Sequence, residues 1–291
     1  MKKLLITGAS GFLGWNICQI AKQEWQIHST YFAHPIEIPG VYSLKVNLRN
    51  FQEIKSLFED IKPEAVIHTA AISSPNFCQT HPTESYQINV AASNYIAQLC
   101  ADYQIPCTFT STDLVFNGLN PPYQESDLVS PVSIYGEQKV LAEQSMLARY
   151  PKTAICRMPL MFGLASPTSN SFIQGLIQTL REGKELSLFT DEIRTPVSAN
   201  TAAKGLLLAL EKVEGYLHLG GKQRISRYEF ACLMAEVLQL PQDKLKPCLQ
   251  KDVKMSAPRP ADVSFDSSLA FGLGYKPLSL REELEMLRGR V

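Results

Sequence analysis

The chain has 291 residues, 45% hydrophobic and 19% charged, as expected for a globular protein with one large domain or one large and one small domain. Lys and Arg number 28, as do Asp and Glu, so no broad field favours nucleic acid or an anionic membrane. No run approaches the roughly 20 apolar residues that cross a bilayer. The seven cysteines and five histidines lack metal-binding spacings. We expect a cytoplasmic protein with reduced thiols and no metal, nucleic-acid or membrane partner.

Strands and helices alternate along the first half of the chain. Short apolar runs predict strands at residues 4–6, 26–31, 65–68, 107–110 and 153–157. Apolar residues at helical spacing predict helices at 12–22, 51–61, 82–103 and 133–148. This alternation is typical of βαβ units and predicts an α/β fold with a Rossmann-type, doubly wound parallel sheet.

The alternation loosens in the second half, where prolines accumulate. Helices are predicted at 171–182, 201–212, 227–240 and 280–287, with short strands at 186–189 and 215–219. We therefore expect residues 1–160 to form the Rossmann domain. Residues 161–291 are expected to form mainly a smaller C-terminal lobe, with some segments returning to the first domain and a cleft between the two.

A glycine loop, Gly8-Ala9-Ser10-Gly11-Phe12-Leu13-Gly14, joins the first predicted strand to the first helix. Glycines at this spacing permit a tight turn and a close approach of a pyrophosphate to the helix N-terminus. The alternative is an ordinary glycine-rich turn, whereas no Gly-Lys-Ser/Thr sequence indicates a mononucleotide P-loop. Tyr31-Phe32-Ala33-His34, at the end of the second strand, has no carboxylate for a ribose hydroxyl, which favours NADP over NAD.

Tyr135 and Lys139 are four residues apart in a predicted helix, so their side chains share one helical face. A neighbouring ammonium lowers the pKa of a tyrosine, which makes the phenol a usable proton donor and acceptor. The alternative is an amphipathic helix with an incidental tyrosine and a solvated lysine. The glycine loop upstream favours the catalytic interpretation.

Together these segments resemble the extended short-chain dehydrogenase/reductase family. Its T-G-x-x-G-x-x-G loop is matched by residues 7–14, and its Y-x-x-x-K pair by Tyr135 and Lys139. Thr69-Ala70-Ala71 and Asn89-Val90 match further segments of the family. Within it, residues 111–118, 123–127, 194–197 and 259–262 resemble the dTDP-4-dehydrorhamnose reductase branch.

The resemblance implies an NAD(P)H-dependent reductase that delivers hydride to the 4-keto carbon of a nucleotide-linked sugar. It implies that Tyr135 protonates the oxygen and that Lys139 holds Tyr135 and the cofactor ribose. Thr112 would polarise the carbonyl, with Ser111 as the second choice. The implied cofactor contacts are Gly8, Ser10, Gly11, Phe12, Leu13, Gly14, Tyr31, Asn47, Leu48, Thr69, Ala70, Ala71, Tyr135, Lys139 and Pro159.

The candidate substrate contacts are Thr112, Asp113, Tyr135, Asn170, Arg194 and Arg259. Arg194 and Arg259 are candidates because guanidinium groups bind phosphate bidentately, so they would suit a substrate diphosphate. The alternative for each is a surface salt bridge. We expect a monomer or homodimer, with residues 1–160 binding NAD(P) and the smaller lobe binding the substrate.

Three residues depart from the patterns of the resembled enzymes. Leu114 follows Asp113 where 4,6-dehydratases carry a glutamate base, so dehydration is disfavoured. Asn16 stands where many rhamnose-pathway reductases have a glutamate linked to magnesium, and Leu160 offers no indole to a sugar ring. Two other functions remain open: an epimerase or other carbonyl reductase on the same residues, and an NADP-binding regulatory subunit without turnover, as in the β-subunit of methionine adenosyltransferase.

Overall fold

A computed structural model describes residues 1–291 and contains thirteen strands and eleven α-helices. The strands are β1 Lys3–Thr7, β2 Gln26–Tyr31, β3 Val41–Lys45, β4 Ala65–His68, β5 Cys107–Thr112, β6 Ala154–Met158, β7 Met161–Phe162, β8 Leu186–Phe189, β9 Ile193–Arg194, β10 Val197–Ser198, β11 Gly215–His218, β12 Ile225–Ser226 and β13 Leu245–Cys248. The helices are α1 Phe12–Ala21, α2 Phe51–Ile61, α3 Pro75–Thr80, α4 Pro82–Tyr86, α5 Ala92–Tyr103, α6 Ile134–Arg149, α7 Phe172–Arg181, α8 Ala199–Lys212, α9 Arg227–Leu238, α10 Ser268–Leu273 and α11 Leu280–Glu285. None of these helices is both long enough and apolar enough to cross a membrane.

Seven strands form one parallel sheet in the order β11-β6-β5-β4-β1-β2-β3. The order reverses between β1 and β4, which is the point where ligands bind in doubly wound sheets. The predicted α/β class with a Rossmann-type parallel sheet is confirmed. Most predicted elements agree with the structure to within one or two residues.

Helices cover both faces of the sheet because successive strand residues point to opposite sides. Leu4 and Ile6 pack with α1 and α8 in one core of 24 buried residues, whereas Leu5 faces α2, α5 and α6 in a second core of 19. A third core of 13 buried residues lies among α7, α9 and α11. All members of this third core lie after residue 161.

The predicted long helix at 82–103 is wrong in its middle. The chain forms α4, then a π-helical turn at Gln87–Ala91, then α5. Asn89 lies in this turn: its Oδ1 accepts from Ile72 N at 2.9 Å and its Nδ2 donates to Ile72 O at 3.1 Å. A π-helical turn adds one residue to the turn, and here it brings an amide side chain to the segment after β4.

Strand β3 was missed by the sequence analysis. Its residues are half-buried or exposed, because β3 is the edge of the sheet. An edge strand lacks the continuous apolar run that identifies a buried parallel strand. Helices α3 and α10 and strand β13 were also missed; each has only four to six residues.

Candidate active site

A cleft of about 790 Å³ opens at the carboxyl ends of β1, β2, β4 and β5. Its opposite wall includes Met158, Leu160, Met161 and residues 169–172. All residues predicted to contact the cofactor, except one, line this cleft: Gly8, Ser10, Gly11, Phe12, Leu13, Gly14, Tyr31, Asn47, Leu48, Thr69, Ala70, Ala71, Tyr135 and Lys139. The exception, Pro159, is buried between two lining residues.

The glycine loop is shaped for close contact between backbone segments. Gly8 has a φ of +75°, and a Cβ atom there would lie 2.8 Å from the Cα of Ala70. A Cβ on Gly14 would clash with the carbonyl oxygen of Gly8. Helix α1 begins directly after Gly11, and its first residues line the cleft. The first N–H groups of a helix have no partner within it and attract anions, so the loop fits the diphosphate of a dinucleotide.

A buried histidine fixes the backbone beside this loop. His68 Nδ1 is 2.6 Å from Thr7 Oγ1, and its Nε2 is 3.1 Å from Ser93 Oγ. The Thr7 hydroxyl oxygen accepts from the backbone N–H groups of Thr69 and Ala70 at 3.2 and 3.3 Å. Burial lowers the pKa of His68 to about 3, so the ring is neutral at pH 7. The segment after β4 is therefore held rigidly against the end of β1.

An ion pair at one end of the cleft brings in a basic residue that the sequence analysis missed. Arg49 and Glu84 both line the cleft, and Arg49 Nη2 is 3.0 Å from Glu84 Oε1. Arg49 follows β3, which was not predicted, so its position beside β2 could not be inferred.

Tyr135 lies in the first turn of α6, whose start is fixed by Ser133: the Ser133 hydroxyl oxygen accepts from Gly136 N. Burial raises the pKa of Tyr135, and the charge of Asp113 adds to the rise. The Thr112 hydroxyl acts in the opposite direction. The shift is opposite to the lowering of the pKa that we expected from a nearby lysine, because burial is its largest cause.

Lys139 is buried one turn further along α6, with 2% of its surface exposed. Its Nζ donates to the carbonyl oxygen of Thr110 at 2.6 Å and lies 4.3 Å from the centroid of the Phe109 ring. Burial lowers its pKa to about 8, although the Glu143 carboxylate raises it. The predicted spacing thus brings both side chains to one cleft. In this structure, however, the lysine donates to a backbone carbonyl.

Residues 110–113 carry the next polar groups at the end of β5. Thr110 and Ser111 line the cleft, and the buried Ser111 hydroxyl has no hydrogen-bond partner. Thr112 lies just beyond the lining, 7% exposed. Its hydroxyl oxygen accepts from Leu114 N at 3.2 Å and donates its hydrogen to Asp113 Oδ1 at 3.1 Å. Thr112 and Asp113 are therefore coupled beside the Tyr135 phenol.

Arg194 is not a free ligand for a substrate diphosphate. Its side chain is 5% exposed, with Nε 3.3 Å from Asp113 Oδ2 and Nη2 3.4 Å from Glu192 Oε1. Its Nη1 donates to its neighbour's carbonyl oxygen, that of Ile193, at 2.7 Å. The geometry thus favours the alternative, an ion pair, although a buried one. Of its two partner carboxylates, Asp113 lies far away in the sequence, which is why that pairing was not predicted.

The two remaining substrate candidates have different surroundings. Asn170 is exposed and lines the cleft next to Ser171, the residue that caps α7. Arg259 is half-buried outside the cleft lining, and its Nη2 donates to Asn76 Oδ1 at 3.2 Å.

No group of three or more His, Cys, Asp or Glu side chains is arranged to hold a metal ion.

Further cleft residues had no signal in the sequence. They come from strands and from the segments that follow them, and their position in the cleft depends on the tertiary structure: Thr30, Phe32, Val46, Ile72, Ser73, Ile88, Met158, Leu160, Met161, Ser169, Ser171 and Phe172. Leu160, in particular, lines the cleft with an aliphatic side chain. The wall on this side combines apolar Met158, Leu160, Met161 and Phe172 with polar Ser169, Asn170 and Ser171.

Comparison with known proteins finds relatives that match almost the whole chain. A Xenopus laevis protein named methionine adenosyltransferase 2 subunit beta is 29% identical, over 92% of this chain and 81% of the relative. A Haloferax volcanii protein named probable low-salt glycan biosynthesis reductase is 27% identical, over 97% of this chain and 96% of the relative. The two names describe a subunit of an enzyme and a probable reductase.

The structure superposes on that of a dTDP-4-dehydrorhamnose reductase from Clostridium acetobutylicum with a TM-score of 0.85 and 26% identity, covering 98% of this chain and 97% of the other. The family described as RmlD substrate binding domain matches residues 1–288. The match spans the seven-stranded sheet, the cleft and the third core. The predicted resemblance is thereby confirmed, and the chain belongs to the RmlD substrate binding domain family of extended short-chain dehydrogenases/reductases.

Proposed function

We propose that this protein reduces the 4-keto group of a nucleotide-linked sugar, with hydride from a nicotinamide dinucleotide and a proton from Tyr135. Family membership gives the enzyme class, an NAD(P)-dependent oxidoreductase. The observation that carries the finer proposal is that Tyr135 and Lys139 line the same cleft as the glycine loop. A dinucleotide held by the loop would have its reactive end near the phenol.

The chain's own residues account for the proton transfer. When bound, the nicotinamide supplies hydride to the keto carbon. Tyr135 gives its phenolic hydrogen to the keto oxygen as the C–H bond forms, and later regains a proton from solvent. Burial raises the pKa of Tyr135, so the phenol is protonated at pH 7, as the reductive direction requires. The Lys139 ammonium stabilises the phenolate that is left.

NADP is the proposed cofactor, with NAD as the alternative. The end of β2 carries no carboxylate to bind a ribose hydroxyl, which is the group that distinguishes NAD. Arg49 adds a guanidinium to the cleft wall, although it is paired with Glu84. For the substrate, the candidates Tyr135 and Asn170 line the cleft, Thr112 and Asp113 lie outside its lining, and Arg259 remains a candidate for the diphosphate. We propose a monomer or homodimer without a nucleic-acid partner.

A second candidate function is regulatory. It is favoured by the relative named as a subunit of methionine adenosyltransferase. Such a protein would bind NADP without turnover. The buried Tyr135 and Lys139 in the dinucleotide cleft favour catalysis, because binding alone does not require an acid beside the nicotinamide. An epimerase would use the same residues but would consume no cofactor overall.

Replacing Tyr135 by Phe tests the proposal. The wild type, mixed with NADPH and dTDP-4-keto sugars, is expected to consume cofactor, measured as loss of absorbance at the nicotinamide band. Tyr135→Phe removes the proton donor but little volume, so turnover should fall about 10²- to 10⁴-fold, with the Kd for NADPH nearly unchanged.

Tyr150→Phe is the matched control, because Tyr150 is also buried but lies at the far end of α6; it should keep wild-type turnover. Full activity in Tyr135→Phe would contradict the catalytic assignment. Sugar conversion without net cofactor loss would indicate an epimerase. Tight NADPH binding with no conversion of any keto sugar would favour the regulatory function.

A further inference from the structure

Three buried charged side chains and the half-buried Arg227 form a row next to Thr112. Asp113 Oδ2 is 3.3 Å from Arg194 Nε, Arg194 Nη2 is 3.4 Å from Glu192 Oε1, and the same Glu192 oxygen is 3.1 Å from Arg227 Nε. The side chains of Asp113, Arg194 and Glu192 are 5 to 7% exposed. Neither Arg194 nor Glu192 takes part in the proposed hydride or proton transfer. Their burial beside the site therefore calls for a different role.

Thr112 has only one hydroxyl hydrogen. Its oxygen already accepts from Leu114 N, and its hydrogen points to Asp113 Oδ1. While Asp113 is ionised, that hydrogen is held by the carboxylate and is not available to a substrate oxygen. Once Asp113 is protonated, the carboxyl group can donate to Thr112 Oγ1. The Thr112 hydrogen is then free to point at the keto oxygen.

We propose that Arg194 is a positioning residue that sets the ionisation of Asp113, and that Asp113 in turn decides whether the Thr112 hydroxyl hydrogen points to the carboxylate or to the substrate oxygen. The proposal assigns to Arg194 a place inside the protein instead of the diphosphate contact suggested by its sequence. The kinetic consequence of this proposal rests on the proposed reductase function. The effect of Arg194 on the ionisation of Asp113 does not depend on that function.

The groups around Asp113 shift the pKa of its carboxyl group in different directions. Burial raises the pKa of Asp113 to about 6, Arg194 lowers it, and the Thr112 hydroxyl also lowers it. Glu192 raises it and Arg227 lowers it. Tyr135 also faces this carboxylate, since Asp113 contributes to the raised pKa of the phenol. Removing the Arg194 charge should therefore move the titration of Asp113 upward, towards neutral pH.

Titration of the Asp113 carboxyl by ¹³C NMR tests this without any substrate. Protein carrying ¹³C-labelled aspartate is titrated from pH 4 to 9, and Asp113→Asn identifies the resonance. Arg194→Gln should raise the midpoint by about one unit or more, and Arg194→Lys by less, because it keeps the charge. Glu192→Gln should lower it. Breaking a buried ion pair strongly destabilises the folded protein. Because the two variants should shift the Asp113 midpoint in opposite directions, a general loss of stability would not explain both results.

Arg157→Gln is the matched control, because it breaks another buried pair: Arg157 Nη2 lies 2.9 Å from Glu143 Oε2, and the two side chains are 3% and 1% exposed. It should leave the Asp113 midpoint in place. An Asp113 midpoint that is the same in wild type, Arg194→Gln and Glu192→Gln would overturn the proposal. So would a shift of equal size in Arg157→Gln.

Kinetics then tests the effect on Thr112. The turnover rate of the wild type should rise as the pH falls through the Asp113 midpoint, and in Arg194→Gln this rise should occur at a higher pH, matching the NMR shift, with KM unchanged. An increased KM with an unmoved pH profile would instead make Arg194 a substrate ligand and refute the positioning role. If no keto sugar is reduced, the proposed function fails, while the NMR titration still decides the role of Arg194.

Discussion

The side chains of the cleft illustrate which residue properties follow from local sequence. Tyr135 and Lys139 were placed on one face because helical spacing alone determines that. The direction of the Tyr135 pKa shift was not predicted, because it depends on burial by segments distant in the chain. The same holds for Arg194: its chemistry suggested a phosphate contact, but its Asp113 partner becomes adjacent only in the folded sheet.

Lys139 should impose an upper pH limit on the reaction. Burial lowers its pKa to about 8, so the ammonium is present below that pH and is lost as the pH rises through it. The positive charge stabilises the Tyr135 phenolate left after proton donation. We therefore expect turnover with NADPH and a keto sugar to fall above about pH 8.

Lys139→Met, which lacks a titrating group, separates this effect from others. It should be slower at every pH and should lose the decline above pH 8, measured as steady-state turnover between pH 6 and 10. If the same decline persists in Lys139→Met, another group is responsible. Lys152→Met, on the exposed turn after α6, is the control and should keep the wild-type profile.

Between whole elements, Asn16 connects the glycine-loop helix to the segment that covers the cleft. Its Nδ2 donates to Phe12 O at 2.9 Å and to Leu164 O at 3.2 Å. Thr168 and Ser166 then donate to the carbonyl oxygen of Ser10 at 2.7 and 3.3 Å. The sequence analysis noted only that Asn16 replaces a glutamate. Its contact with a residue 148 positions away required the tertiary structure.

Replacing Asn16 by Ala should loosen this covering segment. The side-chain amide would no longer hold Leu164 over α1, so residues 163–171 would cover the bound dinucleotide less well. We expect the Kd for NADPH to rise several-fold, chiefly through faster dissociation, because each net hydrogen bond contributes about 1 kcal/mol. Stopped-flow fluorescence of bound NADPH would measure the dissociation rate.

A control with a comparable structural cost is Ser279→Ala, which removes the N-terminal cap of α11, in the C-terminal lobe. It should lower thermal stability without changing NADPH dissociation. Equal dissociation rates in wild type and Asn16→Ala would show that the amide has only a local structural role within α1.

Elements with strong local patterns were predicted closely, and weakly patterned ones were not. Helix α2 was predicted with its observed bounds, because Asn50 caps its start and Ile54, Leu57, Phe58 and Ile61 are buried on one face. The π-helical turn at Gln87–Ala91 interrupts a sequence that is helical throughout in its spacing. Asn89, in this turn, contacts Ile72, and such a contact leaves no periodic signal in the sequence.

In the molecule as a whole, the two halves are joined by segments that cross between them. Both of the following elements come from the second half of the chain. Strand β11 pairs with β6 in the seven-stranded sheet, and helix α8 packs in the first core. The sequence predicted that some segments would return, but not which ones. A β-strand at 215–219 is equally compatible with either lobe until its pairing with β6 is known. Local patterns carry no information on pairing over such distances.

A buried histidine at this junction makes the stability of the whole fold sensitive to acid. His218 lies in β11; its Nδ1 is 3.0 Å from Tyr123 O and its Nε2 is 3.4 Å from Arg157 Nη1. The carbonyl requires a donor on Nδ1, and the guanidinium requires an acceptor on Nε2, so the neutral ring satisfies both. Burial, followed by the charge of Arg157, lowers the pKa of His218 to about 3.

His218 therefore contributes stability that is fully present above pH 6.5, the pKa of the unfolded chain, and is lost as the pH falls towards 3, because the unfolded state binds the proton first. His218→Gln keeps a donor and an acceptor but does not titrate. Urea unfolding at pH 5 and 7 should show the wild type losing about 2 kcal/mol more than the variant. His34→Gln, at an exposed position, should behave as the wild type. Equal losses in wild type and His218→Gln would mean that the acid sensitivity lies in other groups, of which His68, with a pKa also lowered to about 3 by burial, is the first to examine.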